Sequence, residues 1–145
     1  MTDELKLHEL AKVSKLFEVL DEEGRKQLVS LASKVHFDAG QVICREGEAG
    51  DEFYVVARGQ VRVTADDLGT EKELARLGSG EFFGEQAVLG GHKRAATVTA
   101  LTDVDLVAFP RKAVDAVLAK SPAAHQMLSK VGLLRSEDAM EKMSQ

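Results

Sequence analysis

Glu85 and Arg94 stand nine residues apart in FGEQAVLGGHKRAATV, a stretch running from Phe83 to Val98 that is otherwise rich in glycine and small apolar residues. Such a pair is either an exposed ion pair at a turn, worth little, or the two charged ends of a site. The segment EQAVL that follows Phe83-Gly84 is a short helical pattern inside a series of strands. A helix N-terminus presents unpaired backbone N–H groups and a positive dipole end, which suits an anion, and Gly84 lets a ligand come close to the backbone. A carboxylate in that first turn repels a phosphate, so Glu85 fits an anion site when it is aimed at hydrogen-bond donors such as ribose hydroxyls. Arg94 supplies a forked guanidinium for a phosphate, and the small Ala95 and Ala96 leave the neighbouring N–H groups accessible. One acid for hydroxyls and one base for a single negative charge describe a nucleotide monoanion. His92 and Lys93 either add positive potential beside Arg94 or are solvated loop residues.

The elements that must position this stretch follow from periodicity. LKLHELAKVSKLFEVL, residues 5–20, places Leu10, Val13, Phe17 and Leu20 on one helical stripe. Asp21 is an N-cap for a second helix, in which Leu28, Leu31 and Val35 continue the helical period. Beyond Val35, glycines at 40, 47, 50, 59, 69, 78, 80 and 84 separate short apolar or alternating runs, the pattern of strands joined by tight turns. DDLGT at 66–70 reads as a hairpin loop, and AATVTAL and DVDLVAFP read as two further strands. Together they predict a compact antiparallel barrel or roll of about eight strands. Pro110 suits the first turn of a helix carrying Val114, Val117 and Leu118 on one face, and Ser121-Pro122 restarts helix formation. Gly132 weakens the last helix by about 1 kcal/mol relative to alanine and makes it a place to hinge.

At 145 residues, with 44% hydrophobic and 30% charged residues, the chain is a single globular domain with a packed core. A net charge of −5 without any Lys/Arg block argues against a nucleic-acid module. No apolar run approaches the ~20 residues needed to cross a bilayer, and the N-terminus lacks a signal-peptide pattern, so a cytoplasmic location and no membrane partner are expected. The single cysteine, Cys44, reads as a small core residue in a strand. His8, His36 and His125 are too scattered to read as ligands, and no metal is expected.

FGEQAVLGGHKRAATV resembles the phosphate-binding cassette of the cyclic nucleotide-binding domain family, in the style of the protein kinase A regulatory subunits: FGE, the small Ala87, the nine-residue step to arginine, and RAATV. GEAGDEFYVVARGQV resembles the family's turn-strand-turn pattern, with Gly50, Asp51, Phe53, Tyr54 and Gly59 in place. The resemblance implies an α+β fold, an eight-stranded antiparallel β-roll or jelly-roll barrel with N-terminal helices (1–35), a β-roll (36–109) holding the cassette and its short helix (83–96), and C-terminal lid helices (110–145). It implies a ligand-binding set of Phe83, Gly84, Glu85, Gln86, Ala87, Arg94, Ala95 and Ala96. In that set Glu85 takes the ribose 2′-hydroxyl, Arg94 takes the exocyclic oxygens of the cyclic phosphate, and the N–H groups of Gly84, Ala87 and Ala95 assist.

A Thr or Ser after the arginine favours cGMP in the family; Ala95 stands there, so cAMP is the expected ligand, ahead of cGMP. The base cap is expected among Met127, Val131, Leu134 and Arg135. Two features depart from the family pattern: Gln86 replaces a frequent aliphatic residue, and Gly90-Gly91-His92 makes either a loop that orders on binding or a plain tight turn. The resemblance implies a sensor without catalysis or cofactor, acting on an effector protein that the sequence does not identify; the oligomeric state is open between a monomer and a weak homodimer paired through an apolar stripe on either end helix. The alternative is a scaffold for protein interaction that takes another ligand, such as a cyclic dinucleotide, or none. No helix-turn-helix pattern follows the barrel, and the start at Met1 favours a standalone sensor over a piece of a longer protein.

Overall fold

The computed structural model describes residues 20–50, 52–84, 94 and 96–130. Helix α1 spans Glu22–Ser30. Its N-cap is Asp21, whose carboxylate accepts the Gly24 N–H at 2.7 Å, and Glu22 and Glu23 place negative charge in the first turn, where the helix dipole favours it. The helical period through Val35 does not hold. The N–H groups of Leu31 and Ala32 reach back to the carbonyls of Leu28 and Val29 at 3.2 and 3.1 Å, closing the helix, and strand β1 begins at Ser33. Val35 pairs with Leu106 and packs against the core between the sheets, a stronger claim on it than an exposed extra helical turn. Leu31, left behind at the cap, is 46% exposed. The helix expected over residues 5–20 lies outside the described residues but for Leu20.

The strands are β1 Ser33–Phe37, β2 Val42–Cys44, β3 Glu52–Arg58, β4 Val61–Asp67, β5 Thr70–Leu77, β6 Phe82–Phe83, β7 Thr97–Ala100 and β8 Val104–Pro110. They form two four-stranded antiparallel sheets, ordered β1-β8-β3-β6 and β2-β7-β4-β5, so the eight-stranded roll expected from the glycine spacing is the fold observed. At the β4–β5 hairpin the strands run to Asp67 and resume at Thr70, with Leu68 and Gly69 at φ 53° and 90°. Two successive positive φ values are what a two-residue hairpin turn needs to match the strand twist.

The first sheet is covered on both faces, and β3 shows why its sequence is a continuous apolar run. Phe53 and Val55 point to the helices and pack with Phe82, Val107, Phe109, Val114, Val117 and Leu128, whereas Tyr54 and Val56 point to the second sheet with Phe83, Leu106, Val98 and Val61. Full burial of side chains such as Phe53 and Phe109 stabilises the fold by roughly 1.5–3 kcal/mol each.

Helix α2 spans Arg111–Lys120. Pro110 is the last residue of β8 and the N-cap of α2 at φ −67°, rather than a residue of its first turn; its missing N–H is harmless in either place. A third helix, α3, occupies residues 122–130, with the Ser121 hydroxyl accepting the Ala124 N–H at 3.2 Å and Pro122 at the first helical position. Gly132 and the hinge expected there lie outside the described residues.

An exposed network ties β1 to β8. Asp105 accepts from His36 Nδ1 at 2.9 Å and from Arg58 at 3.1 and 2.8 Å, while His36 Nε2 meets Asp38 at 3.1 Å. Hydrogen bonds to Asp105 and then Asp38 raise the His36 pKa above 6.5, and hydrogen bonds from His36 and then Arg58 lower that of Asp105 below 3.8. The His36 contribution to stability is present below pH 6.5 and is lost as pH rises through its raised folded value. Denaturation midpoints are therefore expected to fall slightly above pH 6.5, and the His36→Gln variant to lack that slope. An identical slope in the variant would assign it to another group.

Candidate functional site

Arg94 is placed by the strand that its own segment leads into. β2 and β7 pair with Val42 opposite Thr99 and Cys44 opposite Val98. The pairing is carried outward by the Glu46 N–H on the Thr97 hydroxyl at 3.0 Å, the Gly47 N–H on the Arg94 carbonyl at 2.9 Å and the Arg94 N–H on the Glu48 carbonyl at 2.7 Å. The backbone of Arg94 is thus held on both sides by the turn after β2, and its side chain is directed over the start of β3.

Arg94 is 8% exposed as a residue. Nη1 donates to the Glu52 carbonyl at 2.9 Å, and Cζ stands 5.7 Å from the centroid of the Tyr54 ring, within the range in which a cation is drawn to an aromatic face. Two glycines make the space for it. A methyl group on Gly50 would stand 2.0 Å from Nε and 2.3 Å from Cζ, and one on Gly84 would meet Nη1 and the Glu52 carbonyl, each at 2.8 Å. Gly84 also has φ +91°, a conformation that side chains resist. Among the described residues no carboxylate pairs with Arg94, and the Glu52 carbonyl takes one of its five N–H donors. A buried cation whose other donors meet no described residue is well suited to an incoming anion.

Beneath the guanidinium, Tyr54 is buried and stacks on Phe83 with centroids 4.9 Å apart at 22°, and its hydroxyl donates to Glu52 Oε1 at 3.2 Å. Burial first, then the Glu52 charge and hydrogen bond, push the phenol up to about 12, against a lowering by Arg94. Cys44, partly buried on β2, is pushed up by burial and pulled down by the Arg94 charge. It is a small strand residue packed on the inter-sheet core, as its sequence context implied.

The sequence-predicted residues divide as follows. Phe83, Gly84 and Arg94 come together with Gly50, Glu52 and Tyr54, and Ala96 lies just before β7. Glu85, Gln86, Ala87 and Ala95, with the expected cassette helix, lie outside the described residues, as do Val131, Leu134 and Arg135. Met127 is half-buried against the helix-side core built on Phe53 and Phe109. Tyr54 and Gly50 were legible in AGDEFY only as pattern residues; their contact with Arg94 had no local signal. Among the described residues, His36 is joined by Asp38 and Asp103 with ligand-type atoms within 4.8 Å, all exposed. These atoms are already engaged, with Asp105, with each other and with the Ala39 N–H, as a surface network. No helix among the described residues is long and apolar enough to cross a membrane.

The sequence profile of the cyclic nucleotide-binding domain matches residues 34–121, more than half of the chain. The chain belongs to the cyclic nucleotide-binding domain family. It is similar to a cyclic nucleotide-gated potassium channel of Rhizobium etli, 38% identical over 97 residues that cover 67% of this chain and 26% of the channel. Among solved structures it resembles the regulatory domain of Toxoplasma gondii protein kinase A with cAMP, at 30% identity and TM-score 0.74, over 80% of this chain and 44% of that one. It also resembles the regulatory subunit of a cAMP-independent protein kinase A from Trypanosoma brucei, at 26% identity and TM-score 0.85, over 97% of this chain and 49% of that one. The chain spans about a quarter of the channel's length and under half of either regulatory chain.

Proposed function

We propose that the domain captures cAMP in preference to cGMP and acts as a sensor without turning the nucleotide over. The observation that carries this reading is Arg94: a buried arginine whose guanidinium is seated between Gly50 and Gly84, with no carboxylate partner among the described residues. Its charge matches the single negative charge of a cyclic phosphate. Glu85 would take the ribose 2′-hydroxyl and the backbone N–H groups of Gly84, Ala87 and Ala95 would assist, the roles that the cassette FGEQAVLGGHKRAATV implies. Ala95 brings no hydroxyl for a guanine, which favours cAMP. The C-terminal helices, with a cap drawn from Met127, Val131, Leu134 or Arg135, would close over the base. Such a switch moves as far as the nucleotide's differential affinity for the two states permits, and its effector is a separate protein or a further part of a longer chain.

Isothermal titration of nucleotide-stripped protein with cAMP and with cGMP tests the reading: saturable one-to-one binding, tighter for cAMP, is expected. Chromatography of the mixture should show no 5′-AMP, whose appearance would make the protein an enzyme. Glu85→Ala is expected to erase most of the discrimination between cAMP and its 2′-deoxy analogue. Undiminished discrimination would move the ribose role to another residue. The second reading, a scaffold for another ligand or none, draws on the likeness to a regulatory subunit described as cAMP-independent. Titration with a cyclic dinucleotide, with no heat from cAMP or cGMP in a verified empty pocket, is the outcome that would favour it.

A further inference from the structure

The buried ring beneath Arg94 has no part in the cassette, yet it stacks on the cassette's first residue, Phe83. We infer that Tyr54 is a positioning residue for the anion-binding guanidinium: its face carries Arg94, and Phe83, stacked behind it, fixes the plane of the ring. This inference rests on the proposed role of Arg94 as the phosphate ligand. Arg94 Cζ lies 5.7 Å from the Tyr54 centroid, and the Tyr54–Phe83 pair is close to parallel at 22° and 4.9 Å. Alternation along β3 sends Tyr54 toward the second sheet while Phe53 and Val55 go to the helices, and the register Tyr54 opposite Phe83 in the β3–β6 pair brings the two rings together. The pair therefore ties the floor of the site to the first residue of the cassette.

A guanidinium on a long, flexible side chain must otherwise be ordered by the ligand itself. A preformed aromatic seat, with the Glu52 carbonyl holding Nη1 at 2.9 Å, removes that entropic cost from binding. The ring face, not the hydroxyl, is what serves Arg94, because the hydroxyl is turned to Glu52. This separates two variants: Tyr54→Phe keeps the face, and Tyr54→Leu keeps apolar bulk but has no face.

Titration with cAMP should find Tyr54→Phe equal to wild type and Tyr54→Leu weaker by roughly three- to thirty-fold, the range from an exposed to a desolvated cation–ring contact. The chain has one tyrosine and no tryptophan, so near-ultraviolet absorption of the native protein reports the environment of Tyr54 alone among these chromophores. Removing Arg94 as alanine should shift that tyrosine band in the nucleotide-free protein, a measurement that does not require Tyr54→Leu to fold. If Arg94→Ala loses cAMP binding while folded Tyr54→Leu binds like wild type, or the band is unmoved, the positioning role is wrong and the phosphate role stands. If Arg94→Ala itself binds cAMP normally, the phosphate role falls and the seat has no function in binding.

Discussion

Arg94→Ala is expected to weaken cAMP binding by about 2–5 kcal/mol, roughly thirty-fold to several thousand-fold. The large effect comes from where the charge sits. Arg94 is 8% exposed as a residue, so little water screens its charge, and a phosphate brought to that site without the cation would be left desolvated and unpaired. The nucleotide-free variant should melt close to wild type, since it gives up one hydrogen bond to the Glu52 carbonyl and the Tyr54 contact but also relieves a buried charge with no described carboxylate partner. The rise in melting temperature that saturating cAMP produces in wild type should be absent from the variant. Unchanged affinity by calorimetry would remove the phosphate assignment altogether.

Gly50→Ala is expected to reach nearly the same outcome without touching a charged residue. The new methyl would lie 2.0 Å from Arg94 Nε and 2.7 Å from Nη2, so the guanidinium must leave its seat. Gly50 does not have the left-handed φ that makes Gly84 intolerant of a side chain, so its backbone accepts alanine and the displaced group is the end of a flexible side chain. Folding stability should therefore stay near wild type. Loss of even one charge-assisted hydrogen bond to the ligand costs about 1.5–3 kcal/mol, and calorimetry should register it as a drop in cAMP affinity with the one-to-one stoichiometry kept. Gly84→Ala behaves differently: its methyl meets the Glu52 carbonyl at 2.8 Å and its φ of +91° is strained, so stability and affinity should fall together. Wild-type affinity in Gly50→Ala would mean that the guanidinium reaches the ligand from another position.

Features settled within a few residues of chain were legible in advance. The Asp21 and Ser121 caps, the turn at Leu68-Gly69 and the alternation of β7 each depend on one local hydrogen bond, one backbone conformation or the two-residue period of a strand. The cassette drew attention to Glu85 and Arg94 because opposite charges at a set spacing among glycines and alanines are unusual for a simple turn. Val35 marks the limit of such reasoning. Leu28, Leu31 and Val35 fit a helical period, but a valine also suits a strand, and the choice went to pairing with Leu106, seventy-one residues away in the chain.

The site itself shows the same division. The sequence by itself determined the residue types, the caps and turns, and the alternation of strands that make a roll with one arginine in its cassette. What only the tertiary structure decided is the company Arg94 keeps: Gly50 against its Nε, the Glu52 carbonyl on its Nη1, the Tyr54 ring under its Cζ. Those contacts follow from the pairing of β2 with β7, Val42 opposite Thr99, and of β3 with β6, Tyr54 opposite Phe83, which joins segments far apart in the chain. No local propensity encodes them, because cross-strand register is chosen by burying both faces of the first sheet at once.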